Sequence, residues 1–255
     1  MILQLEDSVE VEVIRGQILP LIPKWFLKPD NVVVSSHRNM EEHEQQHLKT
    51  IGSGNWHAPL GNEFRFTEDN LLLTSVWVKA TEENLESSSV MEKWTNIEPV
   101  SGILRLLSHQ SFRCELNEYR WISPNGKFLA AIEDTDIIES DDKFRLRVAQ
   151  DFDLLFAEQK WCGWLLSNPA RYLAEPNSLA DLDTELPLLA YEYISLISEP
   201  NIDLLYDKEP EFLQRIIDLR AKIDLNSGAT EHRREIHTAL EEIIESFYGT
   251  AALNK

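Results

Sequence analysis

Five consecutive residues carry the most specific chemical pattern in the chain: His43-Glu44-Gln45-Gln46-His47 reads H-E-x-x-H. On a helix, positions i and i+4 share a face. Both imidazoles can then hold one zinc ion while the Glu44 carboxylate acts as base to a metal-bound water. His57 or His37 would supply a third ligand. The surrounding segment, NMEEHEQQHLKT, is polar on every side. A catalytic helix needs an apolar stripe to seat it, and none is present. The leading expectation is therefore a polar helix or loop with no cofactor, and zinc bound by His43, His47 and His57 is the alternative.

Over those five residues the chain resembles the zincin metalloproteases. The resemblance implies His43 and His47 as ligands and Glu44 as base, and it stops there. His57 does not fall at the metzincin spacing, and no matching downstream Glu stands out. The chain has no glycine-rich phosphate loop, no G-x-S-x-G elbow and no kinase signature set. Its two cysteines, Cys114 and Cys162, are too few for a disulfide framework or a four-thiolate metal site, and buried reduced thiols are expected. His232 and His237 are five apart, the wrong spacing for one helix face. Asp151 and Asp153 would share a strand face, but nothing around them suggests the shaped cleft of a glycosidase.

Charge is the other prominent feature. The 255 residues hold 44 Asp and Glu against 24 Lys and Arg, a formal net charge of −20. Residues 1–127 carry 18 acidic and 12 basic side chains, whereas residues 128–255 carry 26 and 12. Two runs dominate. Glu133, Asp134, Asp136, Glu139, Asp141 and Asp142 fall within ten residues without a base. Residues 175–211 hold ten carboxylates, Asp181, Asp183 and Glu185 among them, against Lys208 alone. Such a balance opposes duplex nucleic acid and anionic lipid as ligands and suits a basic protein partner. The first run lacks the Gly and terminal Glu of an EF-hand loop.

The elements that must position these residues follow from periodicity. Val9, Val11 and Val13 alternate with Glu10 and Glu12, and 31–36 (NVVVSS) is β-branched. Phe64 and Phe66, a polar turn and LLLTSVWVKA predict a hairpin. Further strands are predicted at 102–108 and 112–116. YRWIS-PNG-KFLAAIE predicts a hairpin with Asn125-Gly126 as a type I′ turn. Phe144, Leu146 and Val148 alternate with Lys143, Arg145 and Arg147, a basic strip expected to be compensated by neighbouring strands. Residues 152–157 and 161–166 predict one more hairpin.

From residue 184 the period becomes helical. Three helices are predicted, with stripes at Leu186–Ile197, Phe212–Ile223 and Ile236–Phe247, the last stopped by Gly249. The expectation is an α+β protein: a largely antiparallel twisted β-sheet over residues 1–170, then about three helices over 171–255, packed on the sheet as one structural unit. No stretch is long and apolar enough for a transmembrane helix, and MILQLEDSVEVEV has no basic signal-type start, so a cytoplasmic location is expected.

Three functions fit this reading. An acidic protein-interaction module, of the inhibitor or immunity type, would dock a basic protein through the acidic residues named above and the aromatic pair Trp161 and Trp164. A zinc-dependent hydrolase would use the HEQQH segment. A decoy would imitate nucleic acid with its carboxylates. The first is the leading expectation.

Overall fold

Alternation in the sequence becomes alternation in burial. In β2 (Val9–Arg15), Val9, Val11 and Val13 are buried while Glu10 is exposed. The computed structural model describes residues 1–28, 30–54, 61–85, 88–133, 140–173, 183–223, 225 and 230–254. Strands β1 (Ile2–Glu6), β2, β8 (Val100–Leu106), β9 (Tyr119–Ile122), β10 (Phe128–Ile132), β11 (Lys143–Ala149), β12 (Phe152–Ala157) and β13 (Lys160–Ser167) form an eight-stranded sheet ordered β1-β2-β8-β11-β12-β13-β10-β9. β1 also pairs with β13, at Gln4 and Lys160, so six strands close into a ring and β10 and β9 continue from it. A second sheet, ordered β3-β4-β7-β6-β5, contains β3 (Lys24–Phe26), β4 (Asn31–Val34), β5 (Thr50–Gly52), β6 (Glu63–Thr67) and β7 (Leu73–Lys79).

The α+β class is as expected, with two differences. The large sheet is mixed, because β1·β13 and β8·β11 are parallel. Six α-helices are described instead of three: α1 (Met40–His47), α2 (Ser88–Thr95), α3 (Leu186–Leu196), α4 (Glu199–Tyr206), α5 (Pro210–Lys222) and α6 (Thr230–Tyr248). Glu199-Pro200 ends α3, as predicted, and also starts α4. Proline fits a first helical turn, where its missing N–H has no partner to lose. Residues 112–116 are not a strand, although the Cys114 carbonyl accepts from Asn62 N.

The β9–β10 hairpin is present, but its turn is not type I′. Gly126 N donates to Ser123 O, Pro124 takes the second position, and only Gly126 has positive φ, at +66°. That is the type I pattern, with Pro second and Gly fourth. A Cβ on Gly126 would meet Pro187 O at 1.9 Å. Gly126→Val is therefore expected to destabilise the fold by about 2 kcal/mol or more, from strain and overpacking together. A thermal melt unchanged from the parent would contradict this.

One apolar cluster runs from barrel residues such as Val11, Leu104, Leu154 and Trp164, through Phe64 and Val76 of the small sheet, to Leu186, Ile216, Leu240 and Ile244 of the helices. A second cluster seats Val90, Met91 and Trp94 of α2 against Trp121, Ala130, Leu155 and Cys162. Strand β12 is buried along its whole length, which explains its unbroken apolar sequence apart from Asp153.

Candidate functional site

The predicted residues do not meet at one place. α1 does form, capped by the Asn39 side chain, which accepts from Glu42 N at 2.9 Å. Its imidazoles point into the protein. His43 is 5% exposed, and its Nε2 lies 2.9 and 3.2 Å from the two Glu63 carboxylate oxygens. Its ring packs against His37 (centroids 4.7 Å apart) and Trp77 (4.9 Å), with His47 at 6.2 Å. Gly54, at φ +113°, leaves room for the Glu63 carboxylate, which a Cβ there would meet at 2.5 Å. Glu44 is half-buried on α1. Among the described residues no three His, Cys, Asp or Glu side chains converge at metal-binding distance. His57 lies outside the described residues. The arrangement gives His43 to Glu63, a partner that the H-E-x-x-H pattern does not include.

Burial lowers the pKa of His37 and of His47; for His47, nearby Arg65 adds to the effect. Both are therefore mainly neutral at pH 7. Burial raises the thiol pKa of Cys162 to about 12 and that of Cys114 well above the ordinary value, so neither is a nucleophile at neutral pH. Asp153 and Asp151 are separated in role: Asp153 is buried among arginines, whereas Asp151 accepts from Tyr172 Oη at 2.7 Å. His232 is buried with Nε2 3.4 Å from Arg171 O, and His237 lies 3.5 Å from Glu241.

The acidic candidates are dispersed in the same way. Asp134, Asp136, Glu139 and Asp181 lie outside the described residues. Asp141 and Asp142 are exposed, while Glu133 is half-buried and its backbone N–H donates to Cys162 O. Asp183 and Glu185 are occupied by the buried Arg233, whose Nη2 donates to both. Trp161 and Trp164 are 5% and 0% exposed, so a partner cannot reach them. The reason is register: residues on both faces of β13 are covered, one by the barrel interior and the other by α2.

A surface missed by sequence reasoning lies where α4, α5 and α6 meet. Tyr206, the last residue of α4, is 70% exposed. Its ring sits edge-on to Phe247 of α6, centroids 5.5 Å apart, and Tyr248 Oη donates to Glu209 O at 3.1 Å. Exposed Glu199, Asp203, Asp207, Glu209 and Glu211 lie on α4, on the link to α5 and in the first turn of α5, with Lys208 the single base among them. None of these five carboxylates forms an ion pair among the described residues. The only available signal was an aromatic residue inside the second acidic run.

The fold defines an α+β protein with a closed strand ring flanked by a smaller sheet and a helical layer. No family model matches the chain, and no curated protein matches it. No helix among the described residues is long and apolar enough to cross a membrane.

Proposed function

We infer that the protein is a non-enzymatic binding module for a basic protein, with the Tyr206 corner as its docking surface. One observation carries the reading: a large aromatic ring stands in solvent on the same run of helix, link and next first turn as five exposed carboxylates that form no ion pair among the described residues. Tyr is enriched among residues that dominate binding energy, and surrounding charges speed encounter and fix orientation. Phe247 backs the Tyr206 ring, so less conformational freedom is lost when a partner covers it. An inhibitor or immunity-type role fits this chemistry, with a toxin or nuclease of high pI as its target. Location in the cytoplasm accords with the two buried reduced thiols.

Affinity capture from a host lysate at low salt, with wild type and variants side by side, tests the reading. Wild type should retain basic proteins that elute as salt rises. Tyr206→Ala should weaken the main complex by about 2 kcal/mol, roughly 30-fold in Kd, as truncation of an anchor does. Asp203→Lys with Asp207→Lys should slow association. Equal recovery by all three proteins, or partners that resist salt, would sink the proposal.

A further inference from the structure

We propose that the open edge of β3 and the facing side of α6 form a slot for one extended basic segment of another polypeptide, which adds to β3 as a further strand of the small sheet. This surface is separate from the Tyr206 corner and does not depend on it. The first observation is a cleft of about 270 Å³ between the two elements. The three residues of β3 and the two that follow, 24–28, all line it. Side chains of a strand alternate between its faces, so a cleft that touches successive residues runs along the strand's edge. β3 is the outermost strand of its sheet, and among the described residues it pairs with β4 alone. In an antiparallel pair, alternate residues direct both N–H and C=O away from the partner strand. Among the described residues, the backbone groups of Trp25 and Phe26 bond to nothing beyond β4, so one of the two presents its N–H and C=O outward. Such an edge is a template for an added strand.

The second observation is the opposite wall. Glu235, Thr238, Ala239 and Glu242 of α6 line the cleft at the i, i+3, i+4, i+7 spacing of one helix face. The floor is apolar, because Trp25, Tyr172, Leu173 and Ala239 belong to the main core cluster. Phe26 is 45% exposed beside it. The charges on the α6 wall are uneven. Glu242 accepts from Lys28 Nζ at 3.2 Å, whereas Glu235 forms no ion pair or hydrogen bond among the described residues. Partial burial, and then Glu242, raise the Glu235 carboxyl pKa against the opposing Arg234, as befits a carboxylate short of a cation.

These features select the occupant. An entering strand places an apolar side chain over Ala239 and a Lys or Arg two residues away beside Glu235. The spacings agree: two strand residues span about 6.6 Å, and the helical step from Glu235 to Ala239 about 6 Å. An acidic segment would instead meet two carboxylates on that wall. With α6 on the other side, the slot suits a single strand and not the edge of a second sheet.

The probe is the peptide acetyl-Thr-Lys-Thr-Val-Thr-Lys-Thr-amide, added in millimolar amounts to the isotope-labelled full chain at about 0.15 M salt and followed by NMR. Amide shifts should change at residues 24–28 and 235–242. With peptide at about ten times its Kd, the outward-facing amide of Trp25 or Phe26 should exchange about tenfold more slowly. Replacing both lysines of the peptide by glutamates, or methylating the backbone nitrogens of its three central residues, should abolish both effects. Glu235→Lys should weaken binding about fivefold, while Glu10→Lys, the same charge change at an exposed position of β2, should alter it less than about twofold. Tyr206→Ala should bind the peptide as wild type does, which separates this slot from the Tyr206 corner. An absence of shifts at β3, equal binding of the acidic or methylated peptide, equal loss in Glu235→Lys and Glu10→Lys, or loss of binding in Tyr206→Ala would each overturn the proposal.

Discussion

Asp153→Ala is expected to remove about 3–5 kcal/mol of folding stability, the cost of leaving a buried charge without its partner. Asp153, the second residue of β12, is fully buried. Its carboxylate receives Arg145 Nε at 2.5 Å, Arg147 Nε at 2.7 Å and Arg147 Nη2 at 3.1 Å, both arginines reaching across from β11. Arg145 is itself only 4% exposed and cannot turn to water. Arg147 is about a quarter exposed and can, so most of the loss should be traced to Arg145. A domain's total stability is of order 5–15 kcal/mol, so much of the population would unfold near body temperature. Urea denaturation measures it. A loss under ~1 kcal/mol would mean that the guanidinium finds another acceptor. Asp153→Asn keeps the shape and one acceptor oxygen, and should lie between the two.

Arg145 also shows how helices are fixed to sheets in this protein. Its Nη1 lies 3.2–3.4 Å from the carbonyls of Trp94, Thr95 and Ile97, at the C-terminal end of α2. Arg65 from β6 donates to His47 O at the end of α1 and to Thr50 O, and Arg120 from β9 donates to Ile194 O and Ile197 O at the end of α3. In each case a strand-borne guanidinium supplies the donors that a helix C-terminus lacks, and its charge suits the negative end of the helix dipole. In a chain with 20 more acids than bases, four arginines, Arg65, Arg120, Arg145 and Arg233, are buried, and among the described residues the exposed carboxylates near Tyr206 form no ion pair.

The use of arginines to cap helix C-termini was not legible in the sequence. The hairpins at β6–β7, β9–β10 and β12–β13 were, because alternation and turn residues are local signals. The stripes of α5 and α6 were legible for the same reason. The basic strip Lys143–Arg147 was read as compensated by neighbouring strands, and Asp153 on β12 does compensate it. What could not be read is which face a residue takes once a sheet is covered on both sides. Trp161 and Trp164, named as partner-binding candidates although such tryptophans are more often core, are core, and His43, on a segment that is polar on every side, is buried. Glu63 is twenty residues from His43, and only strand pairing and helix docking bring them together. Tyr206 was hidden by its setting, since it lies inside the second acidic run, between two predicted helical stripes, where no helix was predicted.

Arg120→Met is the sharper test of the arginine device, because its effect should depend on pH in a direction that simple loss of packing would not give. Arg120 is 1% exposed. It donates to Asp30 at 2.6 Å, to Asn84 at 3.0 Å, and to the two α3 carbonyls at 3.2 and 2.5 Å, joining the β3–β4 turn, β9 and the helical layer. Removing it takes the ion-pair partner from the Asp30 carboxylate and a donor from Asn84 Oδ1 and from two carbonyls, and about 3–5 kcal/mol should be lost at pH 7. Asp30 already has a pKa raised by burial, held down by Arg120 and by the Trp25 indole N–H, which donates at 3.0 Å. Without the guanidinium the rise should be larger. A carboxyl whose folded-state pKa exceeds its unfolded value of 3.8 costs stability while ionised, and that cost is relieved as pH falls and the folded state takes up the proton. The stability gap between wild type and Arg120→Met should therefore narrow from pH 7 towards pH 5. The double variant Arg120→Met, Asp30→Asn should recover part of the loss and show no such narrowing. A gap that stays constant with pH would assign the effect to lost packing and carbonyl contacts, and would remove Asp30 from the account.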